Sequence, residues 1–173
     1  MLLAVGATRL NVLTMVINFR THSGSSSSTN HQEDAMKKKM WLGFVLVFIV
    51  FEILDYLIYS VILGSAMAEV KVWRPDMERL RWVYPVITLV GSFFFSFIFS
   101  KGYEGKGIGE GIRYGTYIGI WMSIGMAYGT YAMIDIPYKL TLQWFIIGVI
   151  EYIIGGIVLA LVFRTKAKEP AKT

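Results

Sequence analysis

The sequence predicts an all-α membrane protein, with four transmembrane helices in an antiparallel bundle, and three observations carry that expectation. Of the 173 residues 55% are apolar and only 17% are charged, which is too little polar surface for a soluble domain of this length. The charges are confined, leaving apolar windows each long enough to cross a hydrocarbon core, which takes about 20 helical residues. These windows are continuous rather than alternating, which argues against a barrel. They place the helices at 40–64, 83–100, 114–134 and 140–163.

Two further features of composition narrow the chemistry. Cysteine is absent, so disulfides and thiolate chemistry are excluded. The formal charge is +5, but the basic residues flank apolar spans, where a membrane protein carries them. No nucleic-acid partner is expected.

Ahead of the first span, residues 1–35 combine a broken apolar run with the low-complexity stretch THSGSSSSTNHQEDA, which has no means of burying anything. MKKKMWLGF, from Met36, reads as a natural start. Gln32-Glu33-Asp34 can be encoded CAG GAG GAU, which contains a bacterial ribosome-binding sequence. Residues 1–35 are therefore expected to be a disordered extension or an untranslated one, with a weak signal segment as the other reading.

Helix one carries Glu52, Asp55, Tyr56 and Tyr59 on an arc of roughly 100°. The loop after it, SAMAEVKVWRPDMERLRW, mixes Trp73, Met77, Leu80 and Trp82 with both charge signs. An interfacial anchor with a short helix opened by Pro75 is expected, or a lid over the outer mouth of the bundle. Helix two bears small hydroxyl residues at intervals of four, Thr88, Ser92, Ser96 and Ser100.

The stretch KGYEGKGIGEGIRYGTYIG, residues 101–119, invites a phosphate-loop reading. A dinucleotide fingerprint needs a preceding β-strand and a βαβ unit, and here an apolar helix precedes and another follows. No Walker pattern occurs, so no nucleotide is expected. Gly107, Gly111, Gly115 and Gly119 instead recur every four residues, giving helix three a bare face suited to close packing in lipid. Helix two, with its small stripe, is the expected mate. Tyr117, Tyr128 and Tyr131 fall on the opposite side. Lys101, Lys106 and Arg113 sit in a turn at headgroup depth, either as an ordinary basic turn or as a lipid-phosphate site.

Helix four has Glu151 at its middle, with Trp144, Gly148 and Gly155 within about 60° of it around the axis. Glycines beside a glutamate leave room for a helix, a water or a ligand. The tail 165–173 is basic. Ten Lys and Arg flank the spans on one side and five on the other, which puts both termini in the cytoplasm.

Carboxylates inside a bilayer are costly unless paired, hydrated or protonated, and no Lys, Arg or His lies within the spans to compensate them. Three readings of Glu52, Asp55 and Glu151 stay open. They are protonated interhelical hydrogen-bond donors, a proton or cation site in a transporter-like path, or an acid–base pair. No nucleophile motif, HExxH or histidine-rich metal set accompanies them, so no enzyme, metal or cofactor is expected.

FEILDYLIYSVILG, WRPDM, IFSKGYEGKGIGEGIRYG and IPYKLTLQWFIIGVIEYIIGG resemble a family of small four-helix bacterial membrane proteins of uncharacterised role. The likeness covers roughly residues 40–164, and KGYEGKGIGEGIRYG is its most specific part. It implies a chain beginning near Met36 and imports no activity and no functional residues. The expectation is a multi-pass protein of the bacterial inner membrane, with a transmembrane domain over 36–164. The lipid bilayer is its partner, and a homo-oligomer is admitted because glycine stripes also serve second copies. A small-molecule, proton or cation carrier using Glu52, Asp55 and Glu151 is the alternative.

Overall fold

The computed structural model describes residues 31–71 and 74–164. Expectations for residues 1–30, for Trp73 and for the tail 165–173 lie outside the described residues. The chain divides between Lys38 and Lys39 into two compact units. In the first, the described residues are helical and largely exposed, with Lys37 and Glu33 one turn apart in an ion pair of 2.9 Å.

All regular structure among the described residues is helical, with no strand. Helix α1 runs His31–Ile62, α2 is Gly64–Ala68, α3 is Val83–Gly102, α4 is Ile108–Met133 and α5 is Tyr138–Phe163. Three of the helical segments are long and apolar enough to cross a membrane: His31–Ile62, Met77–Gly102 and Tyr138–Phe163. Helix α4 is as long as α5 but falls short in hydropathy, because Gly109, Gly111, Gly115, Gly119, Gly125 and Gly129, with four tyrosines, dilute its aliphatic residues.

Helix α1 ends in a π-helical turn, Leu57–Ile62, closed by Leu63 N–H donating to Ile58 O at 2.8 Å. After it the loop is partly folded. Val70 and Leu63 are buried in an apolar cluster with Ile58, Ala127, Ile136, Leu140 and Trp144, against which Ala66 and Met67 pack. The short helix expected after Pro75 is a 3-10 turn, Met77–Leu80. Helix α4 begins six residues earlier than the charge pattern predicts, for a reason given by Glu110 below.

The register between helices follows from side-chain contacts. On α1, Gly43 abuts Leu159 of α5 and the Lys39 ammonium donates to Phe163 O at 2.9 Å. Further along, Phe51 meets Tyr152 at 5.6 Å between ring centroids, so α1 and α5 run antiparallel. Phe95 of α3 joins the same aromatic group, 5.8 Å from Phe51, 5.5 Å from Tyr152 and 4.7 Å from Tyr114. The Tyr114 hydroxyl donates to Phe95 O at 2.6 Å, tying α4 to α3.

The α4–α5 contact is the closest. Gly111, Gly115, Gly119, Ser123 and Ala127 are all buried, a strict interval of four that puts them on one helix face. A Cβ at Gly111 would strike Gly156 O, one at Gly115 would strike Tyr152 O, and one at Gly119 would press on Val149 and Tyr152. Rising numbers on α4 meet falling numbers on α5, so this pair is antiparallel. The mate of the glycine face is therefore α5, not the hydroxyl row of α3. Only glycine lets two backbones approach this closely, and α5 supplies its own Gly156 and Ala160 at this face, whereas α3 supplies serines.

Candidate functional site

The carboxylates occupy the α1–α5 side of the structure. Asp55 and Glu151 are partly buried and are electrostatic neighbours of each other. Tyr59 feels both of them and Tyr84. The Thr88 hydroxyl of α3 lies 3.4 Å from Asp55 Oδ2 and 3.1 Å from its own helix's Tyr84 O, so its single proton serves one acceptor or the other. Glu52 acts on Asp55. Helical spacing explains this: Asp55 and Tyr59 are four apart and share a face, and the π turn that includes Tyr59 begins just beyond Asp55. Widened turns of this kind recur at functional positions in helices.

Two details differ from the expectation. Tyr56 is 69% exposed and stands away from the group. The glycines flanking Glu151 leave no free space beside it, because Gly148 lies against Ser123 Oγ and Gly155 against the rings of Phe51 and Phe95. No ion pair among the described residues involves Glu52, Asp55 or Glu151. No cluster of three or more metal-ligating side chains occurs among them either. The arrangement gathers two carboxylates within electrostatic range of one another, with the Thr88 hydroxyl beside Asp55 and the Tyr59 phenol in the field of both.

The glycines just ahead of α4 serve the start of that helix. Glu110 is 5% exposed, and its carboxylate accepts the Glu104 N–H at 2.6 Å and the Lys106 N–H at 2.8 Å. It stands three residues after the helix-capping Gly107, the position from which an acid reaches back to cap a helix start. Gly105 and Gly107 take φ of 79° and 76°, a region closed to most side chains. Gly107 therefore belongs to the cap and not to the packing stripe, and a Cβ there would meet no neighbour.

The amides that a phosphate would use are taken up by a protein carboxylate. The cations are engaged as well. Lys106 lies 2.5 Å and Arg113 3.4 Å from Glu104 Oε2, while Lys101 sits over the Phe97 ring at 5.4 Å. Partial burial and the nearby Glu110 raise the Tyr103 phenol above its ordinary value. Glu110 was missed in the sequence, lying outside the helix expected at 114–134; an acid three residues after a glycine is the signal that marks it.

Set against protein-family models, curated proteins and solved structures, the chain matches none of them.

Proposed function

We propose that this is a four-span protein of a bacterial inner membrane, both termini cytoplasmic, whose working site is a proton- or cation-binding pair, Asp55 and Glu151. Three helices have the length and composition of spans. Support for the fourth comes from α4, whose 26 residues extend about 39 Å, more than the roughly 30 Å hydrocarbon core. It lies antiparallel along α5 through its glycine face. Its outward side chains Ile120, Trp121, Met122, Ile124 and Met126 are apolar and exposed, as lipid contact requires.

The observation that carries the site is that Glu151 lies in the field of Asp55, with no ion pair to either carboxylate among the described residues. Two like charges in a medium of low dielectric repel strongly. A proton or a small cation between them removes that cost, so occupancy of the pair follows proton or cation concentration on the connected side. This is the elementary step of a carrier, and a four-helix protomer would perform it alone or paired with a second copy.

Infrared spectroscopy of the protein in bilayers tests the reading. A carboxyl band that titrates with pH, that shifts in Asp55→Asn and that is lost when Asp55→Asn and Glu151→Gln are combined is the expected result. A spectrum without such a band, or one that survives both substitutions, rejects the titrating pair and leaves a membrane protein with structural acids.

A further inference from the structure

Hydroxyl groups on these helices usually satisfy themselves. Thr88, Thr116, Thr130 and Thr141 each bond the carbonyl four residues back, and Ser100 bonds the one three back. Ser92 and Ser96 do not. Both are fully buried, and neither Oγ has a hydrogen-bond partner. A buried hydroxyl left unpaired is uncommon and calls for an explanation.

Their position supplies one. Ser92 and Ser96 continue, at intervals of four, the face of α3 that begins with Thr88, and Thr88 touches Asp55. From Thr88 to Ser100 the row covers about 18 Å of helix, from the carboxylate pair to the end that carries Lys101. We infer that the row Thr88–Ser92–Ser96 is the route along which protons, relayed by water, travel between the Asp55–Glu151 pair and the Lys101 end of α3. The inference rests on the proposed titrating pair and adds its path. A hydroxyl both donates and accepts, so a row with unspent capacity can hold water that passes a proton on, where an apolar row cannot. In this account Thr88 is the last relay, alternating between Tyr84 O and Asp55. Ser92 and Ser96 are positioning groups for water and do not themselves lose a proton.

Small residues at this spacing also permit close helix packing, so the test must separate size from polarity. Because the chain has no cysteine, Ser92→Cys and Ser96→Cys each place a single thiol of nearly unchanged size. The probe is silver ion, small enough for a narrow path and reactive with thiolate, which forms only where water reaches. Phe94→Cys, on an exposed position of the same helix, is the lipid-facing control.

Modification of both serine-site thiols on the order of tenfold faster than the control is expected. In parallel, Ser92→Ala and Ser96→Ala, which keep the packing, should slow protonation of the carboxyl band after a pH jump by a similar factor while leaving its midpoint in place. Serine-site thiols as inert as the control overturn the route. A band that titrates in the parent at a rate the alanines leave unchanged overturns the route and leaves the pair standing. A parent without a titrating band overturns both.

Discussion

The carbonyl oxygen of Gly156 occupies the place a side chain at Gly111 would take, and the carbonyl oxygen of Gly111 occupies the place a side chain at Gly156 would take. This reciprocity joins α4 to α5 at backbone contact distance. Gly111→Ala and Gly156→Ala are each expected to destabilise the protein by about 1–3 kcal/mol, the usual cost of overpacking, and leucine at either position should prevent assembly. Gly125 and Gly129 on the same helix have open space around them. Alanine there should be neutral, or stabilising by up to about 1 kcal/mol through helix propensity. Thermal melts in detergent distinguish the two sets, and equal effects at all four positions would refute the specific contact.

Glu110 gathers two amides of the loop that precedes α4. Removing the acceptor of two partly buried N–H groups leaves them to water, so Glu110→Ala should cost roughly 1 kcal/mol. It should also open residues 103–107 to proteolysis, while Ile108→Ala beside it should not. Cleavage that is no faster in Glu110→Ala would contradict the cap.

Glu104 makes the same loop sensitive to acid. Its hydrogen bond to Lys106, then the charge of Lys106 and the weaker influence of Arg113, hold the carboxyl below its ordinary value. A carboxyl depressed on folding contributes stability above its ordinary value, and that contribution is lost as pH falls through the depressed one. Carbon-13 titration of Glu104 should show a midpoint below the normal glutamate range in the parent and a return toward it in Lys106→Gln. An unchanged midpoint would mean that the ion pair does not form in solution. Glu104 is solvent-exposed, so salt should weaken the effect.

Helical spacing in the sequence reveals faces but not partners, and the differences between expectation and structure follow from that. The interval of four from Gly111 to Gly119 identified a bare face on α4. Both α3 and α5 carry small residues at that interval, and nothing in spacing alone ranks serine against glycine as a mate. Gly107 fits the same interval yet lies one residue before the helix, since its φ of 76° is a property of the cap. The three helices long and apolar enough to cross a membrane were legible because charge and hydropathy report them directly. α4 was visible only through its flanking charges, since glycines and tyrosines weaken its apolar signal. Glu52 and Glu151 lie at similar depth by simple counting, but rotation about the helix axis brings Asp55 into coupling with Glu151.

That rotation gives a prediction of its own. Asp55→Asn should shift the titration of Glu151, because each is within the other's field, whereas Glu52→Gln should leave it close to its parent value. A Tyr56→Phe change, at an exposed position, should have no effect on either. The infrared carboxyl band of each variant decides this, and a larger shift from Glu52→Gln than from Asp55→Asn would reverse the assignment.

The passage of α4 through the bilayer is the claim on which the four-span account depends, and sidedness measures it directly. In a chain without native cysteine, single cysteines replacing Lys106 and Asp135 mark the two ends of this helix. They are challenged with a membrane-impermeant maleimide in sealed vesicles of known orientation. Labelling of one position from outside and of the other only after permeabilisation is the predicted result. Labelling of both positions from the same side would place α4 along the membrane surface and contradict the account.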